Sequence, residues 1–323
     1  MLKFRLLLSI LVLSAFSLFC SYESKAQGGR YPVGTKADSL ALVGADWHWK
    51  DVYKGQVGWA QVNMFGSVQT ISIIRYPARK YHTEVVNYEG EKAVTTSQAA
   101  LYNLGVYAIN GSYFTREVKP STFVKDDGER ISSTSPDEGF RVNGLLLLKK
   151  GKKTKMDLMT SLPLDNEKDS RDSYEALTSG PMLIEEGKPL FDESQTGSSF
   201  YMSRHPRSIV GYSLPRVAPK GNLALRAPSG RIVAPKGQMV YFIVIDGRFP
   251  GEADGASIPE ATFIAKVLGL YEAMNLDGGG SSTLYNNMTG VVNHPSDNGT
   301  FDHEGERRVP NILMAAPPRR TLK

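Results

Sequence analysis

The chain is almost without cysteine. Of 323 residues only Cys20 carries a thiol, so a disulfide framework is excluded. Long apolar runs are scarce too. The longest, Leu6–Phe19, is shorter than the roughly 20 residues that span a bilayer, and nothing later approaches it. An excess of one charge is also missing: 38 Lys and Arg stand against 33 Asp and Glu, a net charge of +5 spread along the chain. The densest basic run, Lys149–Lys153, reads as a solvated hairpin tip, and no nucleic-acid partner is expected. The histidines (His48, His82, His205, His294 and His303) show no metal-ligand spacing. No G-x-S-x-G elbow and no P-loop occur. With 41% hydrophobic and 22% charged residues, what remains is an ordinary globular chain.

Cys20 itself falls outside the expected fold. Lys3 and Arg5 precede the apolar run, and Ser24-Lys25-Ala26 closes it with a small-x-small cleavage pattern. Residues 1–26 therefore read as a secretory signal peptide of bacterial type, and the protein as periplasmic or secreted. A lipid anchor on Cys20 is the less favoured alternative, because the bulky Phe19 stands where such signals carry a small residue. Cleavage after Ala26 leaves no cysteine for thiolate catalysis or metal binding.

Apolar alternation predicts strands at Val57–Phe65, Val68–Tyr76, Phe140–Leu148, Leu177–Ile184 and Ile209–Ser213. Further strands are predicted at Val106–Asn110, Met239–Ile245, Tyr271–Leu276 and Val309–Ala315. Helices are predicted at Ser97–Leu104, stopped by Gly105, and at Ile258–Leu268, opened by a Ser257/Glu260 capping box. Many strands with few helices give an α+β fold of mixed sheets in one large domain. Along the chain we expect a strand-rich region at 27–95, the main domain at 96–316 and a short tail at 317–323. Residues 115–139 form a long polar loop, of the kind that often carries function. Residues 214–237, with Val-Ala-Pro-Lys-Gly twice, read as a projecting, proline-studded hairpin. Trp47-His48-Trp49 reads as packing, with sugar stacking the alternative.

Asp277 followed by Gly278, Gly279, Gly280, Ser281 and Ser282 is the sharpest chemical feature. Glycines let a ligand approach the backbone, and successive N–H groups form an anion-binding nest. A carboxylate beside such a nest suits a phosphorylated substrate. Asp246, before Gly247-Arg248, ends the most apolar strand, where a carboxylate is costly unless paired or solvated in a cleft. Arg207 can place two donors on a phosphate. Glu260 is explained by the capping box, with a catalytic role in reserve. The segments ending in Asn110-Gly111 and Asp277-Gly278 share a pattern of Gly-stopped helix, strand, polar residue and Gly, which would place Asn110 and Asp277 at equivalent strand ends. Asp297, Asp302 and Glu304 make an oxygen-rich loop without the EF-hand pattern; a structural calcium there is an open alternative, and no other metal or cofactor is expected.

Six ordered segments resemble one family. They are Ala108-Ile109-Asn110-Gly111-Ser112-Tyr113-Phe114, Ser179–Ile184, His205-Pro206-Arg207-Ser208 with Gly211, Asp246-Gly247-Arg248, Asn275–Ser282 and Val309-Pro310-Asn311-Ile312-Leu313. Together, over roughly residues 100–316, they are similar to the phosphodiester glycosidases. Three departures accompany the likeness. Gly111-Ser112-Tyr113 stands where the family has a Gly-Gly-Phe type run, residues 214–237 look inserted, and the cysteine-rich and membrane-anchor parts of the animal member have no counterpart. The resemblance implies hydrolysis of a sugar-1-phosphodiester between the anomeric carbon and the phosphate oxygen, in an N-acetylglucosamine-1-phosphodiester-like glycan. A non-catalytic glycan-binding module and a phosphodiesterase cutting P–O are the alternatives. On this reading Asp277 and Asp246 are the catalytic carboxylates, with Glu260 in reserve. Arg207 and the glycine nest at 278–280, with Ser281 and Ser282, hold phosphate. Asn110 and Gly111 meet the sugar, and Arg308 and Asn311 line the same cleft.

Overall fold

In a computed structural model, residues 34–149, 155–191, 193–215, 220–225 and 236–317 are described. The expected leader with Cys20, most of the basic run at 149–153, both Val-Ala-Pro-Lys-Gly copies for the most part, and nearly all of the tail lie outside them.

The backbone of the fold is an eight-stranded antiparallel sheet. Its order is β1 (His48–Val52), β2 (Gly55–Met64), β3 (Ser67–Pro77), β15 (Met239–Ile245), β14 (Arg207–Ser213), β16 (Glu272–Asn275), β12 (Met182–Glu185) and β13 (Lys188–Pro189). A second sheet runs β10 (Lys155–Thr160), β9 (Gly144–Lys149), β11 (Glu175–Ser179), β7 (Val124–Asp126), β8 (Glu129–Ser132). A third runs β18 (Gly290–Val291), β17 (Leu284–Asn286), β6 (Tyr107–Asn110), β20 (Asn311–Ala316), β4 (His82–Asn87). A small pair joins β19 (Arg308–Val309) to β5 (Val94–Thr95). The helices are α1 (Lys36–Gly44), α2 (Thr96–Tyr102), α3 (Asn166–Asp169), α4 (Ser199–Met202) and α5 (Ile258–Val267). The expected α+β class is what the structure has.

Strand β15 shows why a continuous apolar run sits centrally. All seven of its residues are buried, and period two deals them to two cores. Val240, Phe242 and Val244 enter a core shared with Leu146, Leu148 and Leu177 of the second sheet and Ile109 and Leu313 of the third. Tyr241, Ile243 and Ile245 face a core closed by Leu42 of α1 and Ile258, Ala261, Ile264 and Ala265 of α5. The large sheet is thus covered by helices on one face and by smaller sheets on the other. Helix α5 opens on the capping box read from Ser257 and Glu260.

Three expectations need correction. Leu177–Ile184 is not one strand: β11 belongs to the second sheet and β12 to the first, and the break falls at Gly180-Pro181, where proline offers no N–H to a ladder. The long loop at 115–139 contains β7 and β8. Finally, the described part of the inserted segment does not project. Leu223 is fully buried, Leu225 packs in the helix-side core, and the Leu223 carbonyl accepts from the buried Arg75. The aromatic triplet packs, as read: Trp47 is buried and stacks on Trp49, and Arg75 lies 3.9 Å over the Trp49 ring.

Candidate active site

The site is built where strand ends from two sheets meet. In the large sheet β14 lies between β15 and β16 and runs antiparallel to both. The start of β14 therefore stands beside the ends of its two neighbours, which deliver Asp246 and Asp277. These two residues leave strands one apart from each other, so their backbones are about 10 Å apart across the sheet.

The third sheet locks Asp277 in place. Its N–H donates to the Gly111 carbonyl at 3.0 Å, and its own carbonyl accepts from Asn110 Nδ2 at 2.7 Å. Asn110 Oδ1 accepts from Ser208 Oγ in β14 and from the Thr283 N–H. Asn110 and Asp277 do meet at neighbouring strand ends, but the Asn110 side chain is 1% exposed and its polar atoms are engaged by protein. Gly111 is glycine for close approach: a β-carbon there would collide with the Asn311 carboxamide oxygen. That oxygen accepts the Ser112 N–H at 2.8 Å, while Asn311 Nδ2 is buried without a partner among the described residues.

The Asp277 carboxyl is half-buried. Burial pushes it up to about 6, while Ser281, the charges of Arg141 and Arg307, and the Gly278 N–H pull the other way. Around it, the chain turns through Gly278–Gly280. Gly279 has φ +61°, and a β-carbon there would lie 2.7 Å from Arg248 Nη2. One at Gly280 would lie 2.5 Å from Arg307 Nη2. Two guanidinium groups therefore flank the glycines. Arg307 is paired with Asp297. Arg248 is exposed and makes no hydrogen bond or ion pair among the described residues, and its backbone has φ +72°, the kind of outlier that clusters at ligand sites.

Arg141 adds a third cation. Its guanidinium lies 3.9 Å over the Tyr113 ring. Glu138 holds it through bonds of 2.5 and 3.0 Å. Burial is the largest single influence and works against its charge, but the Glu138 bonds together with the charges of Tyr113, Glu138 and Asp277 outweigh it and its pKa rises. Tyr113 donates its hydroxyl to the Gly180 carbonyl and accepts from Asn275 Nδ2. Beyond Arg141 opens a cleft of 460 Å³ walled by Phe140, Pro181, Leu190, Tyr201 and Ile258.

Asp246 is fully buried. Its carboxylate accepts Asn293 Nδ2 at 2.9 Å and the His294 N–H at 3.1 Å, and lies 2.9 Å from His294 Nδ1. Burial raises its pKa, and the His294 and Asn293 contacts oppose that. The His294 ring stacks on Phe301 at 3.8 Å and on His303 at 4.5 Å between centroids.

Several expected residues lie elsewhere. Arg207 is 2% exposed and does not reach outward as a clamp: Nε donates to the Ala256 carbonyl, and Nη2 to those of Phe200 and Ser203. Burial pushes it down to about 10. Arg308 donates to the carbonyls of Ala93 and Glu91; it is Arg307, one residue earlier, that faces the glycines. Both oxygens of Glu260 are taken by Arg204, at 2.6–3.1 Å, and one also accepts the Ser257 N–H, so the reserved catalytic role has no lone pair turned to a cleft. The loop of Asp297, Asp302 and Glu304 is tied up by Arg307, Asn298 and its own backbone, and no group of three or more His, Cys, Asp or Glu is placed to hold a metal among the described residues. Arg141, Arg248, Arg307 and His294 were not among the expected site residues, although Arg248 closes the Asp246-Gly247-Arg248 segment. Strand alternation at 307–309 was the available signal for Arg307, and the Asn-His-Pro turn after Val291-Val292 for His294.

The pattern of the phosphodiester glycosidases matches residues 103–316. The chain belongs to that family. No curated protein matches it. Among solved structures it resembles the catalytic domain of zebrafish N-acetylglucosamine-1-phosphodiester alpha-N-acetylglucosaminidase, auto-inhibited by its pro-peptide, with a TM-score of 0.54 and 15% identity over 90% of this chain and 85% of that one. It also resembles a putative exported protein from Burkholderia pseudomallei (TM-score 0.54, 15% identity, 78% of this chain and 74% of the other). A hypothetical protein from Synechocystis aligns with a TM-score of 0.52 and 13% identity, over 83% of this chain and 63% of that one. At these identities the likeness is one of fold. No helix among the described residues is long and apolar enough to cross a membrane.

Proposed function

We propose that this family member is an exported hydrolase that cleaves the glycosidic bond of a sugar-1-phosphodiester. The observation that carries the reading is Asp277 beside a glycine turn over which the unpaired Arg248 guanidinium lies. Ordinary glycosidases pair a general acid with a base or nucleophile because an alcohol leaves poorly. A phosphate monoester is a weak base and leaves without a strong acid. Cations that gather charge as the bond breaks then do most of the work, and Arg248 with Arg307 supplies them beside the glycine backbone. Arg248 thus takes the role that the sequence suggested for Arg207, which instead ties β14 to α4 and the Ala256 loop. Asp277 stabilises the positive charge that develops at the anomeric carbon. N-acetylglucosamine is the sugar suggested by the zebrafish relative's name, and export follows from the leader-like first 26 residues.

The test is hydrolysis of a panel of sugar-1-phosphodiesters in isotopically labelled water. Label in the released sugar is the expected result. Label in the phosphate would mean P–O cleavage and would overturn the reading, as would tight sugar binding with no turnover.

A further inference from the structure

Asp246 entered as a candidate second carboxylate, but it is wholly enclosed, and a side chain that touches no solvent cannot itself meet a water molecule. What it meets is His294. We propose that His294 is the group that takes the proton from the attacking water, and that Asp246 is its positioning residue. This rests on the glycosidase reading above.

The geometry is that of an orienting carboxylate and its imidazole. Asp246 Oδ2 lies 2.9 Å from Nδ1, and both its oxygens accept the His294 backbone N–H. With the carboxylate ionised, Nδ1 carries the hydrogen and the lone pair sits on Nε2. Nε2 makes no hydrogen bond among the described residues, and the side chain is 18% exposed. Phe301 and His303 clamp the ring from its faces. His303 is fixed in turn by its Nδ1, 2.7 Å from the Asn293 carbonyl. Asn293 ties the assembly to the glycine turn by donating to the Ser282 carbonyl at 3.0 Å, besides its bond to Asp246. The imidazole is held to the same loop that follows Asp277, with one ring nitrogen left over.

The step balances simply. The water oxygen forms a bond to the anomeric carbon while the bond from that carbon to the phosphate oxygen breaks. The phosphate keeps the electron pair, held by Arg248 and Arg307. The water proton passes to His294 Nε2, and the imidazolium is stabilised by the buried Asp246 charge. Asp302, in the same loop as the stacked His303, also interacts electrostatically with the ring.

The decisive experiment combines kinetics with nitrogen NMR of the full chain. We expect His294→Ala to lower kcat by roughly 10²–10⁴-fold, the usual worth of a positioned base, and added imidazole to restore part of the rate in proportion to its unprotonated fraction. Asp246→Asn should lower kcat and let the neutral His294 ring carry its hydrogen on Nε2, the wrong tautomer for a base, because the oriented acceptor at Nδ1 is lost. A purely structural role gives no imidazole rescue. Should the substitutions prevent folding, the wild-type imidazole shifts decide: hydrogen on Nδ1 and a bare Nε2 support the assignment, and neutral His294 carrying its hydrogen on Nε2 overturns it. Phosphate labelling in wild type would sink the glycosidase reading, whereas sugar labelling with a His294→Ala variant that imidazole does not rescue sinks only this one.

Discussion

Asp277→Asn separates stability from chemistry at one residue. Burial lifts the carboxyl from 3.8 to about 6, so the folded chain holds this proton more tightly than the unfolded chain does. Wild-type stability must then fall as pH rises from about 4 to about 6, and change no further through this group above that. Two pK units correspond to about 3 kcal/mol. Solvent reaching the half-buried carboxylate trims this to about 1–2 kcal/mol. Asparagine keeps the shape and has no such slope. At pH 7.5 the variant should therefore melt several degrees above wild type, at about 2–4 °C per kcal/mol. The gain should shrink to nothing near pH 4. Turnover should vanish at every pH, while wild-type kcat climbs toward a plateau above about pH 6. Thermal unfolding of both proteins at pH 4, 5, 6 and 7.5, with activity on the same samples, tests this. A variant that melts below wild type at pH 7.5 refutes the claim that the buried charge is a net cost. A variant that turns over normally removes Asp277 from the mechanism.

Arg248→Ala should cut kcat/KM by about 10–100-fold, the worth of one charge-assisted contact, with an unchanged melting curve because the side chain is exposed; Arg207→Ala should instead melt early, leaving the carbonyls of Phe200 and Ser203 without donors. Glu260→Gln keeps the capping box but weakens the pairing with Arg204, so a stability loss of about 1 kcal/mol with full activity is expected, and a collapse of activity would restore its catalytic role. Glu175, at the seam between β11 and β4, accepts the Val85 N–H and is pushed up to about 8, by burial first and then by Glu84, Asp126 and Asp127. Glu175→Gln should accordingly gain over wild type as pH rises from about 4.5 to about 8 in urea unfolding, and equal stabilities across that range would show that the carboxyl titrates normally.

Much of the fold was legible because its signals are local. The seven apolar residues of β15 and the Ser257/Glu260 box each act within a few residues, and both formed as read. The Asp277 turn was legible for a similar reason, since three consecutive glycines exceed what a hairpin requires. The roles of the arginines were not. Whether a guanidinium faces a cleft or a carbonyl depends on residues far off in sequence: Arg207 is decided by Ala256 and Phe200, and Arg308 by Glu91 and Ala93. Asp246 shows the same limit. Its position at a strand end was plain, but the histidine that gives it a partner lies 48 residues later, beyond the reach of any spacing rule.

The placement of β20 sets when the molecule can begin to act. This strand, Asn311–Ala316, is the last among the described residues, yet it sits inside the third sheet between β6 and β4. A chain made from its N-terminus must hold β6 and β4 apart, each with an open edge, until β20 emerges. Gly111 rests on Asn311 and in turn receives the Asp277 N–H, so the carboxylate has no fixed address before that insertion. A nascent or half-threaded chain is thus chemically silent, whatever substrate surrounds it. Those waiting edges invite pairing with other chains. Loss of β20 should therefore produce an aggregating protein rather than a weakened hydrolase.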